Sequence, residues 1–106
     1  MIYLQITAKV FPQKMAELQG VLQEVVVYMC KETPEVTYDL IRNINGNAGY
    51  IHTLATYHSM ADWEAARAKR ATDAKWQTIL TKLRELVDLG NAETNFYELI
   101  ARSENK

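Results

Sequence analysis

Side chains alternate from Ile2 to Lys9, with Ile2, Leu4, Ile6 and Ala8 on one side and Tyr3, Gln5, Thr7 and Lys9 on the other. A period of two predicts a half-buried strand whose first set faces the core. The second set is polar but carries an aromatic ring, which suits a lined cavity or a partner better than bulk water. After Phe11-Pro12 the period lengthens. Met15, Leu18, Leu22, Val25 and Met29 recur at helical spacing, the stripe of an amphipathic helix. Pro12 fits the first positions of that helix, where its missing N–H is not needed. Val26 and Val27 widen the apolar side and predict good burial near its C-terminal end. Pro34 biases Thr33 away from helical geometry and ends the helix.

Val36 to Asn43 predicts a second strand, with Tyr38, Leu40 and Arg42 on one face and Thr37, Asp39, Ile41 and Asn43 on the other. Asn45 to Gly49 is rich in glycine and asparagine, which accept positive φ, so a turn follows. Tyr50 to Tyr57 or His58 is β-branched and aromatic and predicts a third strand, paired with the second as a hairpin. Ser59 with Asp62 three residues on is a capping pattern for a helix from about Met60 to Arg70. Thr72-Asp73 is a second cap signal. Trp76, Leu80, Leu83 and Val87 then follow helical spacing, with Ile79 and Leu86 beside them and Gly90 as the stop. Thr94 to Arg102 predicts a fourth strand, and Ser103 to Lys106 a frayed tail.

The order β-α-β-β-α-α-β is α+β and ferredoxin-like, a split βαβ pattern with one four-stranded antiparallel sheet and helices on a single face. The other face is left open, and residues such as Tyr3, Ile41 or Tyr57 make it too apolar to stay wet. A second copy packed sheet to sheet would cover it. The expectation is a homodimer whose two sheets enclose a partly polar, partly aromatic cavity.

The 106 residues suit one domain spanning 1–106, and 48% are hydrophobic, enough for a small core. A net charge of −1 carries no long-range field, and no basic stripe points to nucleic acid. Cys30 is the only cysteine, so no intrachain disulfide forms. The N-terminus reads as a strand rather than a signal peptide. Val21 to Cys30 is too short and too interrupted to span a bilayer. A soluble, cytoplasmic protein with no membrane partner is expected.

Tyr57-His58-Ser59-Met60-Ala61-Asp62-Trp63-Glu64-Ala65-Ala66-Arg67, followed by Asp73-Ala74-Lys75-Trp76-Gln77, resembles the dimeric α+β barrel superfamily, in particular its NIPSNAP-like branch. The shared features are a strand ending in an aromatic, a helix opening serine, apolar, small, acidic, an arginine-bearing helix, and an Asp-x-x-Trp step into the next one. The resemblance implies fold and dimer. The superfamily holds cofactor-free monooxygenases of polyketide quinols, haem-degrading enzymes, cyclases and isomerases, and proteins of unknown role. The small stand-alone chain also resembles RedY-like proteins of prodigiosin-type tripyrrole pigment pathways.

His52 and His58 are six apart and share a face if the third strand stays regular. Either suits acid–base work near neutral pH, with His52 read first as structural and His58 as a rim histidine or a proton shuttle. Asp39 lies mid-strand, where a charge is unusual. It is a candidate proton acceptor or a partner for a histidine, and equally a water-facing aspartate. Composition leaves open which set of the third strand meets the cavity. The resemblance favours the set holding Tyr57, with Tyr3 as a further substrate-binding wall and Trp63 as a roof. Two histidines without a third local ligand make no zinc signature, so no metal and no cofactor are expected. The resulting expectation is a cofactor-independent enzyme of secondary metabolism. It would cyclise, dehydrate, isomerise or oxygenate a hydrophobic aromatic, polyketide or pyrrole-like molecule. A metabolite-binding or stress-responsive dimer without catalysis is the alternative.

Overall fold

The computed structural model describes residues 1–46 and 48–103. Asn47 of the expected turn and residues 104–106 of the expected tail lie outside the described residues. In chain order the elements are β1 (Ile2–Lys9), α1 (Met15–Glu32), β2 (Thr37–Arg42), β3 (Tyr50–Tyr57), α2 (Met60–Ala71), α3 (Ala74–Leu86) and β4 (Glu93–Glu98). A short 3₁₀ turn, Leu89–Asn91, leads into β4. The four strands form one sheet in the order β2-β3-β1-β4 with every neighbouring pair antiparallel, and the three helices lie on one face. This is the expected ferredoxin-like α+β arrangement. No helix among the described residues is long and apolar enough to cross a membrane.

The core lies between that face and the helices. Leu18, Val25, Tyr28 and Met29 of α1 meet Ile79, Leu83 and Leu86 of α3 over Ala8 and Ile51 of the sheet. A second cluster gathers Leu4, Ala55 and Tyr57 under Trp63 and Ala66 of α2. The caps read from sequence are present. Ser59 Oγ accepts from the Asp62 N–H at 3.2 Å, and Asp73 Oδ1 accepts from the Lys75 N–H at 3.0 Å.

Three boundaries differ from expectation. Helix α1 starts at Met15 and not at Pro12, because Gln13 takes φ 65°. That left-handed conformation cannot continue a right-handed turn. Phe11 to Lys14 instead form a turn closed by Lys14 N–H to Phe11 C=O, 3.1 Å. Helix α3 ends at Leu86, before Gly90, because Val87 turns extended and bridges Val10. Val87 is 1% exposed, so its apolar character serves the core from a bridge position rather than a helix. Strand β4 stops at Glu98, since that residue pairs with Ile2 and β1 begins there. The widening of α1 by Val26 and Val27 is also corrected: Val27 is 65% exposed. It stands about 200° around the helix from Val25, and Tyr28 takes the buried place instead.

Candidate functional site

Register decides which side chains the open sheet face carries. Leu4 pairs with Ala55 and Phe96, and Tyr38 also pairs with Ala55, so their set points to the helices. The alternate residues share the other face: Tyr3, Gln5 and Thr7 of β1, Asp39 and Ile41 of β2, His52, Leu54 and Thr56 of β3, and Tyr97 of β4. The β1 alternation read from sequence is therefore correct. The expectation for β3 is overturned. Tyr57 is 3% exposed within the helix-side core, and the set holding His52 meets the open face. Ile51, Ala55 and Tyr57 are the more apolar set, and burial of apolar area chose the parity.

The two ends of this face differ in chemistry. At one end a concavity of about 440 Å³ is lined by Tyr3, Gln5, Asp39, Leu54, Thr56 and Tyr97. Leu54 and Tyr97 remain 37% and 50% exposed there, and Ile41, across from His52 on the edge strand β2, 47%. At the other end a more polar concavity of about 400 Å³ is lined by Thr7, Lys9, Asn43, Tyr50, His52 and Glu93, among others.

His52 is locked in the polar end. Its Nε2 lies 2.6 Å from Asn43 Oδ1 and its Nδ1 3.0 Å from Thr7 Oγ1. With Asn43 Oδ1 accepting, Nε2 carries the hydrogen and Nδ1 accepts from the Thr7 hydroxyl. Both ring nitrogens are engaged, the structural role read first for this residue. Asp39 and His52 share the face but are not bonded. Asp39 pairs across with Leu54 and Ile41 with His52, so the two are diagonal neighbours. Asp39 is exposed, and no cation among the described residues lies within ion-pair distance of it.

His58 and Trp63 lie elsewhere. Strand β3 ends at Tyr57, so the even spacing from His52 to His58 no longer fixes a shared face. His58 is exposed and borders a crevice of about 20 Å³ with Glu35, Val36, Tyr57, Asp62 and Ala66, none of them open-face residues. That volume holds about one water and no substrate. Trp63 packs edge-on against Phe96 at 4.8 Å on the helix side, with the Arg67 guanidinium 5.4 Å from its ring. It anchors α2 to β4 and does not roof the open face. Tyr3 does lie where expected.

Gln5 belongs to the β1 set read as suiting a lined cavity, whereas Leu54 and Thr56 escaped the sequence reading as cleft residues, as did Arg102 as a contact of Tyr3. The signal for Leu54 and Thr56 was β1 parity carried across the register. Arg102 had none, because the chain reaches back over the sheet only after β4. Its Nη2 donates to Tyr3 Oη at 2.8 Å. Among the described residues no three His, Cys, Asp or Glu side chains gather as a metal would require.

The perturbed ionisable groups lie on the helix side. Burial, then the Asp73 carboxylate, pushes the Tyr28 phenol up to about 12. Tyr28 Oη donates to Asp73 Oδ2 at 2.6 Å. That bond, helped by the Lys75 and Trp76 amides and Lys69, holds Asp73 below its ordinary value. Burial likewise pushes Tyr38 up to about 12. Tyr28 and Asp73 tie α1 to the start of α3, and neither they nor Tyr38 line the two concavities of the open face.

No protein-family model matches the sequence, and no curated protein matches it. Solved structures share the fold. A NIPSNAP family protein of unknown function from Agrobacterium tumefaciens superposes with a TM-score of 0.84 at 20% identity, over 97% of this chain and 91% of that one. A NIPSNAP domain protein from Burkholderia xenovorans gives 0.81 at 16%, over 99% and 100%. An antibiotic biosynthesis monooxygenase gives 0.74 at 10%, over 95% and 100%. What the chain has in common with them is the α+β architecture.

Proposed function

We propose that this protein binds a hydrophobic aromatic molecule in the cleft at the Tyr3–Tyr97 end of the open face, and that it works there as a cofactor-independent enzyme of secondary metabolism. The observation that carries the reading is an apolar floor, Leu54, exposed on a central strand of the sheet and rimmed by two phenols and one carboxylate. Clefts of this make-up, apolar with a few placed polar groups, suit small molecules. A second copy of the chain, packed sheet to sheet, would close the cleft into a cavity and exclude water. Asp39 is the acid–base group in the cleft: it would take a proton from the bound molecule and return it, in a cyclisation, dehydration, isomerisation or oxygenation. His52 holds the neighbouring end of the sheet in register through Thr7 and Asn43. The narrower assignment, a tripyrrole or polyketide pigment pathway in the cytoplasm, is supported by the resemblance of the Tyr57–Arg67 and Asp73–Gln77 motifs together with the fold shared with a biosynthetic monooxygenase.

A second reading follows from His52. With both nitrogens of His52 engaged, Asp39 is the one carboxylate lining the apolar end among the described residues, and a single exposed carboxylate also suits a protein that holds a metabolite without altering it. Turnover and binding of aromatic polyketide and pyrrole substrates, measured on Asp39→Asn, His52→Ala and His58→Ala, separate the two. Catalysis predicts a loss of about a hundredfold or more in rate for Asp39→Asn with binding retained, and an unchanged rate for His58→Ala. Binding without turnover in every protein, wild type included, supports the carrier reading instead.

A further inference from the structure

The two phenols of the cleft are held differently. Tyr97 Oη donates to Gln5 Oε1 at 3.1 Å, which uses its hydrogen within the protein. Tyr3 Oη instead accepts, from Arg102 Nη2 at 2.8 Å. Among the described residues its own hydrogen meets no side-chain acceptor and stays available to donate. Arg102 also rests on Met1, with Nη2 3.8 Å from the thioether sulfur, and it forms no ion pair among the described residues. Among the described residues this corner therefore presents donors and a positive charge without a compensating carboxylate. Asp39 lies across β3 from Gln5, the next open-face residue along β1, which puts it about 12 Å from Tyr3 as two strand spacings and one two-residue step, at the opposite wall.

We propose that Tyr3 and Arg102 form an anion-recognising corner, so that the cleft takes a flat aromatic molecule bearing an acidic oxygen, a carboxylate, enolate or phenolate. The inference rests on the reading of this cleft as a small-molecule site. The planar guanidinium offers several N–H donors in a fixed fork, and the phenol adds another, a set suited to an oxyanion. The apolar floor takes the ring, and Asp39 meets a donor at the far edge. Charge-assisted bonds at a partly desolvated corner outweigh neutral ones by enough to select the acid over its neutral counterpart.

The test is a fluorescence titration of the full chain with two probes of one aromatic frame, 8-anilinonaphthalene-1-sulfonate and the uncharged N-phenyl-1-naphthylamine. The sulfonate probe should bind about tenfold more tightly. Arg102→Gln should remove most of that advantage and leave the neutral probe within about twofold, and Arg102→Lys should restore part of it. Leu54→Asp should weaken both probes, tying them to the cleft. Equal affinities in the wild type, or equal losses of both probes in Arg102→Gln, overturn the anion corner and leave the cleft standing. No binding of either probe, or binding indifferent to Leu54→Asp, overturns the cleft reading and the corner with it.

Discussion

Tyr28 is buried at 2% exposure and yet carries a hydroxyl, which it spends on the Asp73 carboxylate at the start of α3. The phenol is raised from 10.0 to about 12, so the fold favours its protonated form. Its contribution to stability is complete below pH 10 and is lost as pH rises through about 12. Asp73 runs the other way. Its value is depressed from 3.8, so its contribution is present above that pH and is lost as pH falls through the folded value. Tyr28→Phe should therefore flatten both limbs of the curve of urea midpoint against pH. Tyr38, also raised to about 12, keeps part of the alkaline slope in the variant. Identical limbs in variant and wild type would contradict the coupling. At this scale the sequence was a partial guide. Asp73 was legible as a cap because the short carboxylate precedes a helical run. Its second partner, 45 residues earlier, was not, since Tyr28 falls outside the stripe drawn through Val25 and Met29. Asp39 and Tyr3 were legible as open-face residues because strand parity places them. Tyr57 lies on the helix side, against the expectation from the resemblance, because packing under α2 buries it with Leu4 and Ala55.

Elements were legible where period and caps agreed, and shifted where tertiary contacts override them. Gln13 at φ 65° is the clearest case, since nothing in its side chain asks for the left-handed region. Gln13→Gly should raise stability by about 0.5–1 kcal/mol in chemical denaturation. A loss of stability would mean the glutamine side chain holds the turn. Val87 is the opposite case, an apolar residue at helical spacing whose backbone leaves the helix for the bridge to Val10. At 1% exposure Val87→Ala should cost about 2 kcal/mol, and a change below about 0.5 kcal/mol would show that the bridge alone holds the end of α3. The fourth strand was read too long for a physical reason. Leu99 to Arg102 have strand-like alternation, but β1 has run out of residues to pair with them. That early end is what frees Arg102 to fold back on Tyr3.

For the whole molecule, layer order follows from element order, and both were readable from the sequence. Helices on one face leave the other to whatever covers it. Its residues are unlike a solvated surface: Leu54 on an inner strand and Ile41 and Tyr97 on the two edge strands are each more than a third exposed. Sheet faces of this kind pack on one another in closed symmetric pairs. Such a pair turns the open cleft into a chamber in which Asp39, Tyr3 and Arg102 would act away from water. Which residues line the open face was only partly readable from the sequence, because the lining depends on register between strands far apart in the chain. The most direct test is the mass of the protein in dilute solution, by sedimentation equilibrium at low micromolar concentration. The account predicts twice the mass of the chain, falling to the single mass in Leu54→Arg. A well-folded wild-type protein that sediments at the mass of one chain would contradict it.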